Sequence, residues 1–181
     1  MSYCSYFTTC YGYGAVYATD QGVVTVEIPN LSGRENTKSL KPVDCKQSDV
    51  TRRTALLLQR YFQGEQVGFG AIPVVFEGIS PFRRHVLEVV RALRYGQICS
   101  YGQVAQACGS PRAARAVGGA LAANSVPIII PCHRVVAENG RLTGFSAPGG
   151  EQTKRELLKI EGVEFKGLLA VPTQVVIHKV P

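Results

Sequence analysis

No apolar run in this 181-residue sequence approaches the roughly 20 residues a membrane-spanning helix needs. The start, MSYCSYFTTC, lacks a basic stretch followed by an apolar one, so it does not read as a secretion signal. No Cys-x-x-Cys pair occurs among Cys4, Cys10, Cys45, Cys99, Cys108 and Cys132, and the histidines are scattered, so no zinc site is expected. There is no internal repeat and no low-complexity tract. There is no phosphate-cradling loop either; the nearest stretch, Gly12-Tyr13-Gly14, lies beside a hairpin. These absences leave a soluble cytoplasmic protein whose cysteines are expected as free thiols.

What is present is uneven charge. The net +7 divides as +1 over residues 1–75 and +6 over residues 76–181. Between Phe82 and Arg115 stand Arg83, Arg84, Arg91, Arg94, Arg112 and Arg115, opposed only by Glu88. Arginine suits bidentate phosphate contact, so a basic half on a neutral half points to a nucleic-acid partner. A solvated basic face reads equally well from charge alone.

Residues 15–28, AVYATDQGVVTVEI, read as two strands about an Asp-Gln-Gly turn. Residues 49–63 read as a helix capped by Ser48 and stopped by Gly64. The Gly- and Pro-rich stretch EQVGFGAIPVVFEGISP places a boundary near residue 75. A small α/β unit (1–75) is therefore expected before a mostly helical unit (76–165), with an extension of unknown role (166–181). In the second unit, Pro81 or Phe82 opens a helix with Val86, Leu87, Val90 and Leu93 inward. Ser100 caps a short helix from Tyr101 to Cys108. Ser110 with Pro111 at the first position is expected to cap a helix from Arg112 to about Ala123. Two short helices about a Gly turn form a helix-turn-helix pattern. PIII is expected as a buried strand, Asn139-Gly140 as the turn of a wing hairpin, and residues 151–161 as a last helix stopped by Gly162. The tail LLAVPTQVVIHKV reads as a strand or two.

Two features stand out. The helix RAARAVGGALAAN carries Gly118 and Gly119, each costing about 0.5–1 kcal/mol against alanine. Such a small face lets either a protein element or a DNA backbone come close, with Arg115 reaching in. The second feature is IPCHRV, where Cys132 stands beside His133 and Arg134. A cysteine attacks as its thiolate, about 3% of the population at pH 7 when unperturbed. A neighbouring base needs orientation by a third group. Glu161, a carboxylate in the last turn of a helix, sits where the helix dipole disfavours it and would find a compensating partner in His133. Full ionisation gains only about thirtyfold, so most of the effect must come from holding a target in line with sulfur.

IPCHRV, preceded by ARAVGGALAANSVPII and followed by LLKIEG, resembles the O6-alkylguanine-DNA alkyltransferases, the methylated-DNA–protein-cysteine methyltransferases. The resemblance extends from SPFRRHVLEVV through GQICSYGQVA to Glu161, and more weakly to YATDQGVVTVEI and LQRYFQGEQVGF. It implies a ribonuclease-H-like first domain and a winged helix-turn-helix second domain. It implies a monomer in the cytoplasm, or with DNA in nucleoid or nucleus, acting on duplex DNA that carries O6-alkylguanine. No cofactor or metal is implied. The damaged base would be flipped from the minor groove, and its alkyl group moved irreversibly to Cys132. His133 would take the thiol proton through a water, and Glu161 would orient His133. Tyr101 would bond guanine N3, Arg115 would fill the vacated stack, and Asn124 would be the hinge. Gly102, Ser110, Arg112 and Ala114 would join Tyr101 and Arg115 on DNA, and the Val135 backbone, Phe145 and Ser146 would meet the base.

The sequence departs from the family pattern in places. Ser125 replaces a common proline, which predicts a looser hinge, and Phe145 replaces a tyrosine found in some members. Zinc ligands of some animal members have no clear match. Competing readings are a non-transferring damage sensor, a cysteine hydrolase and a structural DNA-binding module. Cys132 argues against the sensor, and the small-faced basic helix is unexplained by the hydrolase.

Overall fold

The computed structural model describes residues 2–33 and 43–171. Three strands form an antiparallel meander, β1 (Tyr3–Thr9), β2 (Gly12–Thr19) and β3 (Gly22–Glu27). Thr19 pairs with Gly22, so Asp20-Gln21 is a two-residue hairpin turn. The two expected strands are thus joined by a third, β1, which the sequence pattern does not announce. Against the sheet lies α1 (Asp49–Phe62), begun by a capping box between Ser48 and Thr51 and followed by Gly64 at φ +84°. Phe7 stacks on Phe62 at 5.9 Å, and Leu58 and Tyr61 are wholly buried.

The expectation of six free thiols is corrected here. The Cys4 N–H donates to Lys46 O at 2.9 Å, which brings Cys45 beside Cys4. The two are disulfide-bonded with Cα atoms 5.9 Å apart.

The rest is mainly helical: α2 (Pro81–Arg91), α3 (Tyr101–Ala107), α4 (Ala114–Ala122) and α5 (Gly150–Ile160). Ser80 caps α2 with Pro81 at its first position, and Ser100 with Gln103 forms a capping box on α3. Helices α2, α3 and α4 pack on one another. The start of α4 departs from expectation. Ser110 does not cap it; its carbonyl accepts the Ala113 N–H at 2.9 Å, closing a turn through Pro111 and Arg112. Proline's fixed φ suits the second position of such a turn as well as a helix start, and the turn prevails.

The expected strand PIII is also absent. Residues 127–130 form a tight turn with Ile128 at φ +71° and a bridge from Pro127 to Ile130. A single 3-10 turn, Cys132–Arg134, comes next. Strand β5 (Val135–Val136) then pairs in parallel with β4 (Cys99–Ser100). The Asn139-Gly140 turn forms, with Gly140 N–H to Ala137 O at 2.8 Å, but the chain beyond it makes a single bridge from Arg141 to Leu169 rather than a long hairpin. Of the tail, only β7 (Leu169–Ala170), paired with β6 (Phe165–Lys166), is described; residues 172–181 lie outside the described residues. One buried cluster joins Phe7, Val16 and Leu58 to Val90, Val117 and Ile130, so sheet and helices share a core.

Candidate active site and nucleic-acid face

Cys132 is presented by strained backbone. A β-branched residue at positive φ costs on the order of 1–3 kcal/mol, and Ile128 sits there fully packed at 1% exposure. Asn124 staples the turn. Its Oδ1 accepts the Val126 N–H at 3.1 Å, and its Nδ2 donates to Ile130 O at 2.9 Å and to Cys132 Sγ at 3.2 Å. The backbone is further tied to β3, because Ser125 O accepts the Val26 N–H at 2.9 Å.

Behind the thiol lies a buried relay. His133 Nε2 and Glu161 Oε1 are 2.7 Å apart, and both side chains are fully buried. Arg134 grips the same carboxylate with two bonds, Nε to Oε2 at 2.8 Å and Nη2 to Oε1 at 2.9 Å. Tyr61 donates to Oε1 at 2.7 Å, and the Gly96 N–H donates to Oε2 at 3.0 Å. Gly96 has φ +72°, and a Cβ there would meet Glu161 O at 3.0 Å, so the loop needs glycine to bring this N–H in. Burial alone would raise the Glu161 pKa. The hydrogen bond from His133, its charge once acid protonates it, and the charge and hydrogen bonds of Arg134 overcome it and hold the carboxyl far below the usual range. His133 is pushed down by burial and by the like charges of Arg134 and Lys154, which outweigh Glu161, so the imidazole is neutral at rest. With Nε2 committed to Glu161, Nδ1 has no partner among the described residues.

Cys132 is not a standing thiolate. Burial pushes its pKa up, against weaker help from the Asn124 amide and the Lys154 charge. The resting side chain is a thiol.

Cys132, Asn124, Phe145 and Ser146 line a cavity of about 630 Å³ whose far wall is β3 with Pro29. Tyr101 and Val135 are not in that lining. The Tyr101 hydroxyl donates to Thr143 O at 2.7 Å, and the Val135 carbonyl accepts Lys154 Nζ at 2.6 Å. Lys154 also donates to Thr143 O at 2.9 Å and lies 5.7 Å over the Tyr101 ring. Burial lowers this ammonium to about 8.

On the outer side, α3 and α4 carry the expected contact residues. Arg112 and Arg115 are exposed; Tyr101, Gly102, Ser110 and Ala114 are half-buried. Gly118 faces the Tyr101 ring, whereas a Cβ on Gly119 would meet nothing within 4 Å. Among the described residues, no protein element therefore occupies the Gly119 face. Other arginines of the basic run serve the fold: Arg91 donates to Ile72 O, Arg83 to Ala123 O, and Arg84 pairs with Glu88.

Comparison with known proteins decides the family. Residues 81–163 match 6-O-methylguanine DNA methyltransferase, DNA binding domain. A methylated-DNA–protein-cysteine methyltransferase of Haemophilus influenzae is 40% identical over 116 residues, 64% of this chain and 63% of that protein. One of Metallosphaera sedula is 43% identical over 116 residues, 64% of this chain and 68% of that protein. The chain belongs to the methylated-DNA–protein-cysteine methyltransferase family. The alignment spans 60% to 63% of the first three curated relatives. Family resemblance in structure runs further: the crystal structure of Mycobacterium tuberculosis O6-methylguanine methyltransferase superposes with TM-score 0.68 at 29% identity, covering 89% of this chain and 93% of that one. A Mycobacterium tuberculosis OGT in complex with DNA gives 0.70 at 28% identity, covering 88% and 92%.

Three residues of this family member's site escaped the sequence reading. Lys154 falls on the apolar face that Leu157 and Leu158 mark on α5, a spacing of three and four that could have flagged a buried charge. Arg134 was visible beside Cys132, but its contact with Glu161 was not. Tyr61 comes from the other half of the chain, and its only signal was a hydroxyl on an apolar helix face, which needs a partner when buried.

Proposed function

We propose that the protein repairs DNA by direct reversal, moving the alkyl group of O6-alkylguanine in duplex DNA to Cys132 once and irreversibly. The observation that carries this is a buried thiol, bonded by Asn124 and opening on a cavity of about 630 Å³, with a neutral His133 held by ionised Glu161 behind it. Sulfur forms a bond to the alkyl carbon as the carbon–O6 bond breaks. That electron pair passes to the guanine, and the thiol proton passes through a water to His133 and finally to the released base. A saturated carbon and a soft nucleophile give a stable thioether, so there is no turnover. In-line placement in the cavity supplies most of the acceleration.

In this reading the protein acts as a monomer in the cytoplasm or wherever DNA is held, with an N-terminal ribonuclease-H-like unit meeting a winged helix-turn-helix unit near residue 75. Helices α3 and α4 enter the minor groove. Arg115 fills the stack, Tyr101 bonds the flipped base, and Gly102, Ser110, Arg112 and Ala114 meet the backbone. Phe145, Ser146 and the Val135 backbone border the base. The open face at Gly119 supports close approach of DNA.

The test is mass spectrometry after mixing with duplex DNA carrying one O6-methylguanine. One added methyl on the Cys132 peptide, saturating at one per protein, is expected. A folded protein that binds the duplex and gains no methyl sinks the transfer reading in favour of a damage sensor.

A further inference from the structure

We propose that Tyr61, supplied by α1 from the N-terminal half of the chain, is a positioning residue for the transfer: its hydroxyl holds Glu161 so that His133 keeps Nδ1 bare for the Cys132 proton. The proposal rests on the transfer reading above. Tyr61 is wholly buried, with its hydroxyl 2.7 Å from Glu161 Oε1 and 3.4 Å from His133 Nε2. Its ring is gripped edge-on by Phe62, Phe69 and Tyr95 at centroid distances of 5.5, 6.4 and 6.1 Å, and meets His133 at 6.4 Å. A ring held on every side has little freedom to turn its hydroxyl elsewhere.

The donor count fixes the direction of that bond. Ionised Glu161 only accepts, and Arg134 only donates. Oε1 therefore receives His133 Nε2–H, Arg134 and Tyr61 together. Burial and the Glu161 charge raise the Tyr61 pKa well above its usual value, so the hydroxyl remains a donor across the working pH range. By drawing on the Oε1 charge, Tyr61 lowers the hold of Glu161 on a second proton at His133. The charged or titratable groups facing His133 are Glu161 and Lys154 from α5, Arg134 and Cys132 from its own turn, and Tyr61 from α1; Tyr95 stands beyond Tyr61. Removing the Tyr61 hydroxyl leaves Glu161 more attractive to imidazolium. His133 should then take a proton at higher pH and lose its function as acceptor sooner on acidification.

The experiment is single-turnover methyl transfer to Cys132 from pH 5 to 9 in the full chain and in Tyr61→Phe, which keeps the packed ring. The acid limb is expected to move up by about half to one pH unit, and DNA affinity to stay unchanged, because Tyr61 lies far inside the protein. Phe62→Leu, on the same helix and against the same ring, is expected to lower the melting temperature without moving the limb. Superimposable wild-type and Tyr61→Phe limbs would overturn the proposal, as would an equal shift in Phe62→Leu. Long-range 1H–15N spectra of His133 give a readout independent of transfer. If wild type transfers nothing, the functional reading fails, and an unchanged His133 tautomer and titration in Tyr61→Phe overturns the Tyr61 role by itself.

Discussion

At the scale of single residues, the site keeps its charge one step away from its nucleophile. Glu161 is ionised among its donors, His133 is neutral, and Cys132 holds its proton because it is buried. Each pKa unit of elevation lowers the thiolate fraction about tenfold at a fixed pH. Iodoacetamide at pH 7.5 should therefore label exposed Cys10 long before Cys132, and label both alike in denaturant; peptide mapping reads the order. Preferential labelling of Cys132 in the native protein would show a standing thiolate instead. Asn124 carries a second prediction. Asn124→Ala strips a partner from the Ile130 carbonyl, the Val126 amide and the thiol at once. Leaving buried polar groups unpaired costs about 1–3 kcal/mol, which for a chain this long lowers the melting temperature by roughly 2–12 °C. Calorimetry would register that loss, and methyl transfer should fall with it. A variant that melts like wild type would mean the turn is held by packing alone. Cys132, His133 and Glu161 were legible in the sequence because they sit in one short motif or on one helix end, and Asn124 through the family resemblance. Tyr61 was not, because nothing local says which buried hydroxyl meets which carboxylate across 100 residues.

At the scale of elements, the helices were legible wherever a cap and an apolar stripe agreed. Ser48 and Ser100 cap as expected, and Gly64 and Gly162 both end their helices at positive φ. The failures were places where one residue type serves two geometries. Pro111 fits a helix start or a turn, and PIII fits a strand or a packed turn; side-chain bonds from Asn124, six and eight residues away from their partners, decided the second. The Cys4–Cys45 bond was hidden because only a contact across 41 residues, with Cys4 N–H on Lys46 O, brings the two together. Helix α4 offers a prediction that separates fold from function. Gly119 is exposed, and an added methyl meets nothing in the free protein. Gly119→Ala should stabilise the helix by about 0.5–1 kcal/mol yet weaken duplex binding, because the methyl would stand between α4 and the DNA. Thermal melts and fluorescence anisotropy measure the two effects side by side. Tighter or equal binding by the variant would remove this face from the interface.

At the scale of the whole molecule, the buried relay ties the two halves of the chain into one titrating unit. Tyr61 comes from α1, Arg134 and His133 from the turn after Ile130, and Glu161 from the end of α5, all against one continuous core. Both Glu161 and His133 have folded pKa values below their unfolded ones. In each case the unfolded chain binds more protons as pH falls, so acid favours unfolding. His133 acts first: below about 6.5, where an unfolded imidazole protonates, stability should fall by about 1.4 kcal/mol per pH unit. Glu161 adds to the slope below about 4.5, and its contribution is fully present above that. The loss should be cooperative, since protonating the relay loosens contacts on both sides at once. Urea titrations at pH 7, 6 and 5 test this, monitored by far-ultraviolet circular dichroism for the helices and near-ultraviolet signal for the tyrosines, which are eight in number with no tryptophan to mask them. Coincident midpoints that fall with pH are expected, with the slope between pH 6.5 and 5 reduced in His133→Gln, which cannot take the proton. Separate transitions for the two signals would mean that the sheet and the helices unfold independently, and that the relay is a contact between units rather than a joint that both need.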